Sequence, residues 1–278
     1  MLGGLPGVAS AHADAAEVVR EARAAAAAAP ADANARLQLA RAFGLTGEWA
    51  SALAALDAAA ALGADADEVG AARGGLLSAA GEHAPAIAEF DRVLARRPDL
   101  AAVRLARGRA CLRAGDLVAA ERDLGAALAT LPQPRPEDIL LRRDVLLALG
   151  LPAQALAALD AGMLRIGHIA ALQLAAVDLD AAQGDSDAAL RRCDDLIARE
   201  GRNPFWLARR ADLLATAGRT SDARAAYADI LTLLSHRAGA RRAGPFESLR
   251  RRISAALAAA PLGESNACAM QSDAVLPP

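Results

Sequence analysis

A glycine recurs along this chain at a nearly fixed interval: Gly47, Gly81, Gly115, Gly150, Gly184 and Gly218, in steps of 34, 34, 35, 34 and 34 residues. A self-similar period of this length is the signature of a repeat architecture, in which each unit buries its apolar face only against its neighbours. Glycine reaches the φ > 0 conformation that ends a helix sharply. A dipeptide of turn or capping character follows each one: Glu48-Trp49, Glu82-His83, Asp116-Leu117, Leu151-Pro152, Asp185-Ser186 and Arg219-Thr220. An acidic residue or Ser at such a place can cap the next helix. Each unit is therefore predicted to hold a first helix, a glycine turn and a second helix.

The second helix carries its own signal. Ala52, Ala86, Ala120, Ala155, Ala189 and Ala223 form a small column. Four residues on stand larger ones, Leu56, Phe90, Leu124, Leu159, Cys193 and Tyr227, and three further on Ala59, Val93, Ala127, Gly162, Leu196 and Ile230. Positions i, i+4 and i+7 share one helix face, and alternating small and large side chains lets facing helices interdigitate. The stretch Ala101–Pro132 shows the plan most clearly, and Pro98 and Pro132 stand where a helix must stop.

Composition agrees. Hydrophobic residues make up 54% of the 278 residues but aromatics only 3%. Alanine is the strongest helix former, and the β-branched and aromatic residues that favour strands are scarce. An all-α chain with closely packed helices follows. The net charge of −2 and pI near 6.1 argue against a general nucleic-acid binder. All 31 basic residues are arginine, as a GC-rich genome would give. Cys111, Cys193 and Cys268 form neither a disulfide framework nor a zinc pattern. No uncharged run is long enough for a transmembrane helix.

The 34-residue helix-turn-helix unit resembles the tetratricopeptide repeat. The small residue of its first helix matches Gly74 and Gly108, with Ala40 and Ala211 as near matches. The aromatic slot three residues later holds Phe43, then Leu77, Cys111, Leu146 and Leu214. The starting tryptophan is absent from its slot, with Trp206 one residue early, and the fourth and fifth units depart at Arg143 and Val177. The resemblance implies an all-α, right-handed superhelical solenoid. Six repeats are expected over 33–235, at about 33–66, 67–100, 101–134, 136–169, 170–203 and 204–237. Capping helices are expected at 13–30 and 245–260, the second with the stripe Phe246, Leu249, Ile253 and Leu257. Residues 261–278 read as a disordered tail. Residues 1–12 read as a flexible N-terminus or a residual signal peptide, since Ala9-Ser10-Ala11 and Ala11-His12-Ala13 have the form of a cleavage site. Export to the periplasm and a cytoplasmic location both stay open.

The sequence offers no catalytic signature: His12, His83, His168 and His236 lack a second ligand at helical spacing, and HExxH, CxxC and GxSxG are missing. No metal or other cofactor is expected. The basic stretch Arg237, Arg241, Arg242, Arg250, Arg251 and Arg252 reads as a solvated face. The resemblance implies that position 9 of each first helix faces a concave groove that holds a peptide. That column reads Arg41, Gly75, Arg109, Asp144, Asp178 and Asp212, with Arg113 adding to the basic half and Glu137 to the acidic half. A groove accepting a segment of two opposite charges is one expectation. Local pairing of the aspartates with Arg142, Arg143, Arg209 and Arg210 on the same helices is the other. The subtype that clamps a C-terminal carboxylate with Lys and Asn does not fit, because lysine is absent and position 9 holds no Asn. The expected function is a non-catalytic, bacterial-type scaffold for a protein or peptide segment. An accessory subunit of an enzyme or envelope assembly complex, with the chemistry on another chain, and a self-associating structural array are the alternatives.

Overall fold

The computed structural model describes residues 6–237 and 245–259, with side chains at 14–235 and 246–258. The described residues are α-helical, turn or irregular, with no strand among them. Helix α1 (Pro6–Ala28) comes first. Six pairs follow: α2 (Ala33–Thr46) with α3 (Trp49–Ala61), α4 (Ala66–Ala79) with α5 (His83–Arg96), and α6 (Ala101–Arg113) with α7 (Leu117–Thr130). Then come α8 (Pro136–Ala148) with α9 (Pro152–Ile166), α10 (Ala170–Ala182) with α11 (Ser186–Glu200), and α12 (Pro204–Thr216) with α13 (Thr220–Arg237). Helix α14 (Pro245–Ala259) is the last among the described residues. The chain divides into two compact units between Leu172 and Gln173, in the first turn of α10.

The six turns share one geometry. Gly47, Gly81, Gly115, Gly150, Gly184 and Gly218 all have φ between 73° and 90°. The residue after each glycine donates its N–H to the carbonyl five residues back, as in Glu48 to Phe43 at 3.0 Å and Asp116 to Cys111 at 2.9 Å. This bond satisfies a carbonyl that the helix end leaves open. Side-chain caps of the second helix form at Asp116, which accepts from the Ala119 N–H, and at Asp185, which accepts from the Ala188 N–H. Glu48 and Glu82 make no such bond. The short carboxylate reaches back to the first turn, and the longer Glu is a poorer cap there.

The second-helix columns form the core. Ala52, Leu56 and Ala59 are buried in the first pair, Ala120, Leu124 and Ala127 in the third, and Ala223, Tyr227 and Ile230 in the sixth. In the first-helix slot, Gly108 lies against α7: a Cβ added there would stand 3.2 Å from the Asp123 Cβ, the Leu124 Cγ and the Leu124 backbone nitrogen. Gly108→Leu is therefore expected to destabilise the first unit by about 1–3 kcal/mol through overpacking. Thermal denaturation followed by circular dichroism checks it, and an unchanged transition would mean that the repeat register is misplaced.

Both ends differ in detail from the sequence expectation. Helix α1 begins at Pro6, inside the stretch expected to be flexible and ahead of the expected helix start at Ala13. A proline at the first helical position costs no hydrogen bond, and the alanines that follow favour the helix. Val19 and Ala26 of α1 are buried with Leu37, Ala40 and Phe43 of α2. At the other end Leu249 and Ile253 of α14 join the core of the second unit. Phe246 does not: it stays 39% exposed and stacks on Phe205, with ring centroids 5.5 Å apart. Residues 1–5, 238–244 and the tail 260–278 lie outside the described residues.

Candidate functional site

Each charged residue singled out from the sequence has a definite place. Arg41 of α2 meets Glu68 of α4 at 2.7 Å. Arg109 of α6 pairs with Asp138 of α8, a buried carboxylate that also receives Arg135 at 3.2 Å. Arg113 donates to the Ser78 hydroxyl at 3.2 Å. Glu137 is exposed in the first turn of α8. The acidic column is not without cations. Asp144 lies 2.8 Å from Arg143 on its own helix. Asp178 accepts from Arg209 at 2.5 Å, and Asp212 accepts from Arg252 at 2.8 Å and from the Tyr227 hydroxyl at 2.6 Å. Only the Asp144 pair is local to one helix; the other two cross between helices. The repulsion expected of an unpaired acidic column is therefore absent.

Two recesses gather three of these residues, Arg41, Asp178 and Asp212. In the first unit, one of about 350 Å³ lies between α2 and α4. Ala40, Gly44, Ala72, Gly75 and Leu76 form its apolar lining, Trp49 stands beside it, and Arg41 with Glu68 supply the charge. A Cβ added to Gly75 would meet nothing within 4 Å, so the space over it is open. In the second unit, a recess of about 450 Å³ is lined by Leu174, Asp178, Phe205, Trp206, Arg209, Asp212 and Arg252. These come from the first helices α10 and α12 and from α14. Position-9 residues thus meet in pairs: Arg41 with Gly75, and Asp178 with Asp212. Arg109, Arg113, Glu137 and Asp144 line neither recess.

Sequence reasoning missed a second charged system. Asp57 meets Arg73 at 2.7 Å, Asp91 meets Arg107 at 2.6 Å, and Asp194 meets Arg210 at 2.5 Å. In every case the partners stand 16 residues apart, second helix to next first helix. Where Gly125 takes the acidic place, Arg142 crosses above it and bonds Glu121 at 2.8 Å instead. The pairs were readable as two columns offset by a constant distance. Arg107 also clamps Asp123, through Nε at 2.6 Å and a terminal nitrogen at 2.7 Å. Asp123 is only 2% exposed, and its hydrogen bond leads the interactions that hold the Arg107 guanidinium above its ordinary pKa, against the opposing effect of burial. Asp180 stands in the aromatic slot of the fifth pair. It is buried and held by Arg192 at 2.7 Å, which is how a charged side chain is accommodated where its counterpart in the first pair is Phe43.

The thiols belong to the core. Cys111 and Cys193 are buried and free. Burial pushes Cys193 up to about 11, and Cys111 is raised for the same reason. A thiol held protonated at neutral pH is a poor nucleophile. Burial, then the hydrogen bond to Asp212, pushes the Tyr227 phenol up to about 12, so it donates to Asp212 throughout the neutral range. No group of three or more His, Cys, Asp or Glu side chains capable of holding a metal ion occurs among the described residues. No described helix is long and apolar enough to cross a membrane.

No family model matches the sequence. A comparison with curated proteins gives no match either. Solved structures do match. The C-terminal part of a TPR repeat-containing protein from Cytophaga hutchinsonii aligns with a TM-score of 0.61 at 16% identity, over 79% of this chain and 90% of that one. PilF of Pseudomonas aeruginosa aligns at 0.53 and 19%, over 81% and 97%. A chain of the Naa15/Naa10 structure bound to HypK-THB aligns at 0.51 and 16%, over 80% of this chain but only 35% of that one. At these identities the likeness is one of fold: the helix pairs are of the tetratricopeptide type.

Proposed function

We propose that the chain is a protein-interaction scaffold whose first helices hold segments of a partner polypeptide. One observation carries this: each unit opens a recess of several hundred Å³ against its first helices, at the column where the 34-residue period places position 9. The linings suit a polypeptide better than a solvated surface would. The first recess has a floor of alanine and glycine, the second has aromatic walls, and the charges at both are paired. Apolar cores with aromatic and arginine anchors and a polar rim characterise protein interfaces. The neighbouring fold in the Naa15/Naa10 structure is itself part of a protein assembly.

In this reading Arg41, Asp178 and Asp212 frame the recesses, and Arg109, Arg113, Glu137 and Asp144 extend the charged rim along the first helices. Rim charges act mainly on the association rate and on its salt dependence. The test isolates partners from the source organism on the immobilised full chain and measures their affinity for three proteins: wild type, Gly75→Phe, and Asp144→Asn, Asp178→Asn, Asp212→Asn combined. Gly75→Phe fills open space, so it is expected to weaken binding about tenfold or more with the fold intact. The triple variant leaves Arg143, Arg209 and Arg252 unpaired, so it is expected to change affinity several-fold at low salt and little at high salt. Equal affinity of wild type and Gly75→Phe, for every partner, removes the first recess as a site. Unchanged affinity of the triple variant at low salt removes the charged rim.

A further inference from the structure

We infer that the recess of the second unit seats one aromatic side chain from an uncharged stretch of the partner polypeptide, an inference that rests on the scaffold function proposed above. The whole chain has seven aromatic residues, two Trp, one Tyr and four Phe. Four of them converge here. Phe205 and Trp206 line the recess, Phe246 of α14 stacks on Phe205, and the Tyr227 hydroxyl holds Asp212 in its wall. Phe205 and Phe246 are each 39% exposed, and among the described residues they are the aromatic rings most open to solvent. Exposed aromatic rings beside arginine form the composition of an interface anchor, and anchors tend to meet anchors.

The charges specify what the occupant lacks. Asp178 is held by Arg209, and Asp212 by Arg252 and Tyr227, so the two aspartates and two arginines of the wall cancel. A charged ligand group would break one of these pairs to make another and gain only the difference. A neutral ring gains without that exchange: it stacks on Trp206 or on the Phe205 edge and meets the guanidinium groups from the face. The Trp206 ring is half-buried at the recess, and its indole brings one N–H donor. Such a donor usually finds a partner when covered. A main-chain carbonyl next to the seated ring would supply it, which favours a polypeptide over a free aromatic molecule. Arg252 belongs to α14, so this recess is completed by a helix outside the six pairs.

The test pans random twelve-residue peptides displayed on phage against the full chain, and measures the enriched peptides against wild type, Trp206→Leu and Phe205→Ala. Circular dichroism of each variant verifies that it is folded. The expected consensus holds one aromatic residue with uncharged neighbours. Its affinity should fall about tenfold in at least one variant and change little as salt rises from about 0.05 to 0.5 M. A consensus built on charged residues, or aromatic peptides that bind both folded variants as well as wild type, overturns the aromatic seat and leaves the scaffold function standing. No enrichment on the wild-type chain counts against both.

Discussion

Arg107→Ala is expected to destabilise the first unit by about 3–5 kcal/mol, the cost of leaving a buried carboxylate without its partner. Arg107 ties three helices: it sits on α6, clamps Asp123 of α7 with two nitrogens and reaches Asp91 of α5 with a third. The two bonds differ in weight. Asp91 is about half exposed, so that pair is worth under about 1 kcal/mol. Asp123 has a side chain only 3% exposed, and besides Arg107 it has only a 3.9 Å contact with Arg122, so truncation of Arg107 leaves a buried carboxylate poorly compensated. Two companions separate these contributions. Asp91→Ala should cost under about 1 kcal/mol. Arg107→Leu with Asp123→Leu should recover most of the loss, because an apolar pair removes the stranded charge together with its partner. Urea denaturation of the three proteins checks the order. If Arg107→Ala matches Asp91→Ala, the Asp123 clamp does not hold in solution.

The same clamp shows what could be read from the sequence and what could not. The columns at Ala52, Leu56 and Ala59, with their counterparts in later pairs, were legible because packing one helix on the next demands a small residue at a fixed place in every unit. The turns were legible because only glycine takes φ near +80° without strain. The Asp57–Arg73, Asp91–Arg107 and Asp194–Arg210 pairs were present in the letters. They were missed because they run between columns of different helices rather than down one. The pairing of Asp178 with Arg209 crosses 31 residues and depends on how far a long side chain reaches across a helix interface, which periodicity does not encode. Phe246 was assigned to the apolar stripe of α14 by spacing alone. Its stacking on Phe205 follows from how α14 docks, and a helix outside the repeat has no earlier copy from which that could be inferred. The recesses share this origin: the repeat gives the column, but Gly75, Phe205 and Trp206 decide where the wall opens.

Adjacent glycines on α4 should respond with opposite sign. Gly74→Leu is expected to destabilise the first unit by about 3 kcal/mol, at the upper end of overpacking costs. A Cβ at Gly74 would stand 2.6 Å from one carbon of the Phe90 ring and 2.9 Å from two others. Phe90 is 1% exposed, packed with Ala86, Val93 and Val103, so the ring cannot swing aside. The gain from removing a helical glycine, about 1 kcal/mol, does not cover this. One residue on, Gly75 faces open space, with nothing within 4 Å of an added Cβ. Gly75→Ala should therefore stabilise by about 0.5–1 kcal/mol, since alanine restricts the unfolded chain and favours the helix at no steric cost. Thermal melts of the two variants against wild type should bracket it, Gly75→Ala above and Gly74→Leu below. The contrast also bears on why Gly75 is there. A glycine that the fold does not require, placed over the floor of a recess, weakens its helix and keeps that floor bare. If Gly75→Ala raises the melting temperature and lowers partner affinity together, the glycine serves binding at the expense of stability. If Gly75→Ala and Gly74→Leu both lower the melting temperature, α4 does not present Gly75 to open space and the first recess is not formed as described.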